Sequence, residues 1–147
     1  MRSLRSQAAL IPNGVHIRVV LAVAAAGLLA GCGVIDVNAP QPSVVVTFRA
    51  ADGSTWKARL TDPKDIANAR DLLAGKEGPR IPNGKVVRGS PDVNTGWSWH
   101  LDPDDFEWAD VATEVCDGNP KSVEDGSLTS DRYCPWSATV IAVEPAG

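Results

Sequence analysis

Histidine, cysteine and long apolar runs are scarce in this sequence, and each scarcity removes a class of function. The chain has two histidines and three cysteines, too few at ligand spacing for a zinc site. No D-x-[DN]-x-[DN]-G loop with a distal glutamate occurs, so the cluster Asp102, Asp104, Asp105, Glu107 and Asp110 does not read as a calcium loop. No Gly-x-Ser-x-Gly elbow surrounds any serine. Basic residues are a minority, 14 against 18 acidic ones. An acidic surface repels phosphate backbones, which argues against nucleic acid as a partner.

The one apolar run, Val19 to Ala30, is shorter than the ~20 residues a spanning helix needs. Arg2, Arg5 and Arg18 precede it, and Leu29-Ala30-Gly31-Cys32 closes it. A basic start, an apolar middle and small residues at the cut make an export signal over residues 1–31. Its last four residues resemble a bacterial lipobox, whose cysteine is acylated with chains such as palmitate and becomes the first residue after cleavage. Cys32 is thus the expected lipidation site and the expected contact with the membrane, placing the chain on the extracytoplasmic side. Cleavage removes three basic residues and no acidic one, leaving 11 against 18 and a net charge of −7.

Cys116 and Cys134 then remain as a pair in an oxidising compartment, the setting of a structural disulfide. Residues 32–43 contain Pro, Asn and Gln without apolar periodicity and read as a flexible tether. Residues 44–145 suit a single domain with one modest core.

Val44–Ala50 and Ser54–Leu60 flank Ala51-Asp52-Gly53 and predict a hairpin. A helix follows, capped by Asp62, started by Pro63 and ended by Gly75, with Ile66, Ala69, Leu72 and Leu73 on one face. Residues 78–84 read as loop, while 85–88, 97–101, 111–116 and 137–143 read as strands, with a short capped turn in "DGNPKSVEDG". The predicted fold is α+β, a small, mostly antiparallel sheet with one main helix packed on it and one disulfide. An Asx-Pro step occurs at Asp62-Pro63, Asp102-Pro103 and Asn119-Pro120, and the same helix-start chemistry is expected at each.

Two tryptophans and the histidine left after cleavage fall within "GWSWHLDP" at 96–103. In an extended strand Trp97, Trp99 and Leu101 point one way, and Ser98 and His100 the other. The first set reads as core, leaving Ser98 and His100 toward a surface or a second layer. Candidate ligand contacts are Ser98, His100, Trp97, Trp99 and Trp136, tryptophan offering a large apolar face with one donor. No catalytic group, cofactor or metal site is expected.

The blocks "GWSWHLDP" at 96–103, "TEVCDGNPKSVED" at 113–125 and "YCPWS" at 133–137 together resemble a family of small secreted bacterial domains with a calmodulin-binding-protein-related name. The likeness runs over about Val44 to Glu144 and implies a secreted or surface module without an established reaction. The name would imply a calmodulin partner. The helix, however, balances Lys64 and Arg70 against Asp65 and Asp71, unlike a basic amphipathic target, so calmodulin is not expected. The sequence therefore leads to a lipid-anchored binding or interaction domain at the cell envelope, with an envelope protein or polysaccharide as ligand. The alternatives are a cell-envelope hydrolase using His100 with a nearby carboxylate, and a small inhibitor or adhesion module.

Overall fold

The computed structural model describes residues 42–147; the expected export signal, Cys32 and nearly all of the expected tether lie outside the described residues. Among those described, no helix is long and apolar enough to cross a membrane.

Alternation of β-branched and aromatic residues builds the first hairpin. β1 (Val44–Arg49) and β2 (Thr55–Leu60) pair antiparallel, with Val44 opposite Leu60, Val46 opposite Ala58 and Phe48 opposite Trp56. All six of these side chains are buried. The turn requires Gly53 at φ +84°, and Asp52 fixes it by accepting from both the amide and the hydroxyl of Ser54. The same two hydrogen bonds hold the Asp52 carboxyl below the usual carboxylate range.

Helix α1 (Pro63–Leu73) starts as the sequence predicts, with Asp62 Oδ1 accepting the Lys64 amide at 2.7 Å and proline first in the helix. It buries Ile66 and Ala69, and Gly75 at φ +76° ends it. Such a cap contributes about 1 kcal/mol.

β3 (Ile81–Arg88) pairs on one side with β4 (Trp99–Ala109) and on the other with the two-residue β5 (Arg132–Tyr133). A three-residue 3-10 turn (Glu114–Cys116) and helix α2 (Pro120–Glu124) lie between β4 and β5. Asn119 caps α2 through the Ser122 amide at 3.0 Å. β6 (Thr139–Pro145) returns antiparallel to β1. The fold is α+β, built of two antiparallel three-stranded sheets, β2-β1-β6 and β4-β3-β5, with one main helix and the Cys116–Cys134 disulfide.

One core serves both sheets. Phe48 stacks on Trp56 at 4.3 Å, while Trp56 and Trp99 each meet the edge of Tyr133, at 5.3 and 5.4 Å. Such pairs contribute about 0.5–1.5 kcal/mol each beyond the area they bury. The sheets adjoin at β2 and β4, and Asn94 crosses the gap. Its Oδ1 accepts the Lys57 amide at 2.7 Å and its Nδ2 donates to the Trp99 carbonyl at 2.9 Å. Trp97 and Thr61 add bonds to the Thr55 and Pro103 carbonyls.

Four expectations need correction. Asp102-Pro103 opens no helix: it lies inside β4, where Gly84 faces Phe106 and Val86 faces Leu101, so residues 102–105 bulge out against Lys85 alone. Leu101 and Phe106 are both buried, and Arg132 ties the bulge down through Asp105 at 2.6 Å and Asn83 at 2.9 Å. Residues 111–116 form no strand: 114–116 make a 3-10 turn, and Val111 and Val115 face outward from it and the chain before it. Residues 81–84 belong to β3, although Pro82 and Gly84 favour a loop there. Gly84 is there for space, since a Cβ would come within 3.1 Å of Leu101 Cδ1. The final strand begins at Thr139, after a turn through Ser137.

Candidate functional site

The residues singled out around "GWSWHLDP" divide between core and surface. Trp99 and Leu101 are buried as expected, whereas Trp97 precedes the strand and is half-buried, packing on Trp99 at 6.3 Å. Ser98 is exposed and its amide donates to the Glu124 carboxylate at 2.9 Å. His100 is half-buried, with Nδ1 at 2.6 Å from the Ser90 carbonyl. No hydrogen bond joins Ser98 to His100, and no carboxylate among the described residues bonds the ring. The neighbouring Asp92 instead grips Arg59 through two bonds of 3.1 Å, and this pairing holds its carboxyl below the usual range. A serine nucleophile needs a base within hydrogen-bond reach, and the base an orienting partner. Neither relationship is present here.

Nor do the acidic residues converge. Asp105 and Glu107 turn to Arg132, and Asp102 accepts the Asp104 amide. Among the described residues, no group of three His, Cys, Asp or Glu is placed to hold a metal ion. Asp65, in the first turn of α1, has its carboxyl raised above the usual range by burial, with smaller contributions from Asp62 and Glu107.

Four surface hollows have volumes of about 290 to 540 Å³, and neither Ser98 nor His100 lines any of the four. The first lies between the end of α1 and the start of β6, walled by Leu72, Lys76, Arg80, Ala138 and Val140.

Trp136 is different. It is 44 % exposed, and the other large exposed apolar side chains among the described residues are Leu73 (45 %), Val115 (72 %) and Val111 (83 %). All four belong to the same end of the domain. Thr139, just after Trp136, pairs with Arg49, the far end of β1 from Val44. Leu72, beside Leu73, shares the first hollow with Thr139 and Arg80. Ile81 follows Arg80 and pairs with Ala109, two residues before Val111.

The disulfide organises this end. Cys116 and Cys134 sit with Cα atoms 5.1 Å apart, the Cys134 amide donates to the Cys116 carbonyl at 2.8 Å, and the Trp136 amide donates to Asp117 Oδ1 at 2.9 Å. The segments bearing Val115 and Trp136 are thereby clamped side by side. Sequence reasoning named Trp136 but missed Val111 and Val115, whose alternation had suggested a strand. It also missed Asn94, a polar residue in a turn with no local signal of burial.

Fold and surface define a small, disulfide-clamped α+β domain with a tryptophan-rich core and one apolar end. The family model for the BP-74 N-terminal domain matches residues 42–147, and the chain belongs to that family. No curated protein and no solved structure matches the chain.

Proposed function

We propose that this chain is a lipid-anchored binding domain on the extracytoplasmic side of the bacterial cell membrane, held by Cys32 and acting without catalysis. The observation that carries this reading is the apolar end around Trp136. A large indole left half in solvent, with two valines more than 70 % exposed in the segment that the disulfide joins to its own, is surface that burial against a ligand would stabilise. This end lies at the Arg49 end of β1, away from Val44. Its ligand is an envelope protein or polysaccharide, and adhesion or inhibition by shape would use the same face. The hydrolase alternative lacks a supporting geometry, because His100 is engaged by a backbone carbonyl.

The anchor is tested by mass spectrometry of the protein recovered from membranes. Cleavage before Cys32 with acyl groups on that residue is expected, and Cys32→Ala should release the protein to the soluble fraction. An unmodified Cys32 in a soluble wild-type protein would refute the anchored reading.

A further inference from the structure

The charges bordering the apolar end are sorted by sign. Lys76 and Arg80 wall the hollow of about 290 Å³ between α1 and β6, and Arg49 stands opposite Thr139, which also lines it. Lys76 pairs with Asp71 at 2.8 Å and Arg80 with Glu77 at 3.1 Å. Both pairs are exposed, and pairs of that kind are weak enough for the cations to take a carboxylate from a partner. Arg49 is exposed and, among the described residues, has no carboxylate within ion-pair distance.

The opposite sign begins where β3 and β4 part. Ile81 faces Ala109, so Arg80 and Asp110 are the next positions outward, and the chain runs on from Asp110 through the exposed Val111, Glu114 and Val115. Among the described residues no basic side chain comes within ion-pair distance of Asp110 or Glu114. Cations therefore border the Leu73 side of the apolar end, and carboxylates border the Val111 and Val115 side.

We propose that the partner at this end is a protein whose contact surface is acidic where it covers the hollow and basic where it covers Val111 and Val115. The inference rests on the apolar end being the binding face, and it names the class of ligand that this face takes. Two observations select protein over polysaccharide. Leu73, Val111 and Val115 are exposed aliphatic side chains, which the apolar centre of a protein contact matches and sugar hydroxyls do not. The bordering charges call for both signs within one contact. An anionic polysaccharide would satisfy Arg49, Lys76 and Arg80 but be repelled by Asp110 and Glu114, and a neutral one would leave both groups without counter-charge. Sorted charges also fix the partner's orientation, because the reversed pose sets like charges together.

Co-sedimentation of the full chain carrying Cys32→Ala with delipidated bacterial envelope tests the partner's class, with every charge reversal at an exposed position. Lys76→Glu with Arg80→Glu, and separately Asp110→Lys with Glu114→Lys, should each reduce pelleting about tenfold. Lys85→Glu with Lys121→Glu, and Asp131→Lys with Glu144→Lys, change the net charge equally at other places and should leave pelleting unaltered. Protease treatment of the envelope should abolish it. Loss on the first reversal, gain on the second and resistance to protease would identify an anionic polysaccharide and overturn the proposal. Reversals no different from their controls would also overturn it, while a loss with Trp136→Ala and Val115→Ser in the same assay would keep the apolar end as the binding face. A chain without these reversals that fails to pellet would overturn both.

Discussion

Asn94 Oδ1 accepts the Lys57 amide at 2.7 Å across 37 positions of sequence, standing where a backbone carbonyl would stand if β2 and β4 were hydrogen-bonded neighbours. The side chain is fully buried, and its Nδ2 completes the bridge at the Trp99 carbonyl. Asn94→Ala leaves a donor on one sheet and an acceptor on the other without partners, at about 1–3 kcal/mol each. Denaturant unfolding should show a loss of about 3 kcal/mol. Asn94→Asp should lose at least as much at neutral pH, because it keeps the acceptor, loses the donor and buries a charge.

The two Asp-Pro steps should respond differently to the same substitution. Asp62→Ala removes a helix cap and is expected to cost about 1 kcal/mol. Asp102→Ala removes only a local turn bond inside the β4 bulge and should cost less than half as much. Equal losses in thermal unfolding would show that the repeat has one structural meaning after all.

This contrast marks how far the sequence could be read. The first hairpin and α1 were legible because their signals are local: alternation, a glycine at positive φ, a capping aspartate and a proline at the next position. The β4 bulge was not, since it depends on Gly84 giving room to Leu101 and on Arg132 reaching Asp105, partners 17 and 27 positions away. Residues 111–116 carried a strand pattern, yet the chain turns there into a 3-10 helix whose Cys116 is held to Cys134 by the disulfide and a single backbone bond, a non-local constraint. For the site, Trp136 and the disulfide were readable from composition and from the expected compartment. The apolar end was not, because it gathers the ends of α1, β4 and the disulfide-bonded loops only in three dimensions.

Replacing both cysteines, Cys116→Ser with Cys134→Ser, opens a loop of 18 residues and should lower unfolding stability by about 3 kcal/mol in the chain-entropy model. The change should also loosen the segment bearing Trp136, whose amide is bonded to Asp117 beside Cys116. Iodide quenching of tryptophan fluorescence in the still-folded variant is expected to rise, and unchanged quenching would show that the clamp does not position this face.

Tyr133 is the only tyrosine, so its ionisation is directly visible by absorbance. Burial raises its phenol well above the ordinary value of 10, with the Asp52 and Asp117 charges adding to the effect. The unfolded chain therefore releases this proton more readily than the folded one. Stability is fully present below about pH 10, the unfolded value, and falls as the pH rises above it. The tyrosinate absorbance change should coincide with alkaline unfolding, and a phenolate appearing near the ordinary tyrosine value in folded protein would contradict the buried placement.

The central claim is that the apolar end around Trp136 is the binding face. The most direct measurement is co-sedimentation of the full chain carrying Cys32→Ala, so that no anchor contributes, with delipidated bacterial envelope, before and after protease treatment of that envelope. The chain should pellet with untreated envelope, and Trp136→Ala combined with Val115→Ser should reduce pelleting about tenfold, equivalent to ~1.4 kcal/mol of binding energy. Protease sensitivity would assign the ligand to protein, and resistance to polysaccharide. Pelleting that is absent, or that the Trp136→Ala and Val115→Ser substitutions leave unchanged, would contradict the claim.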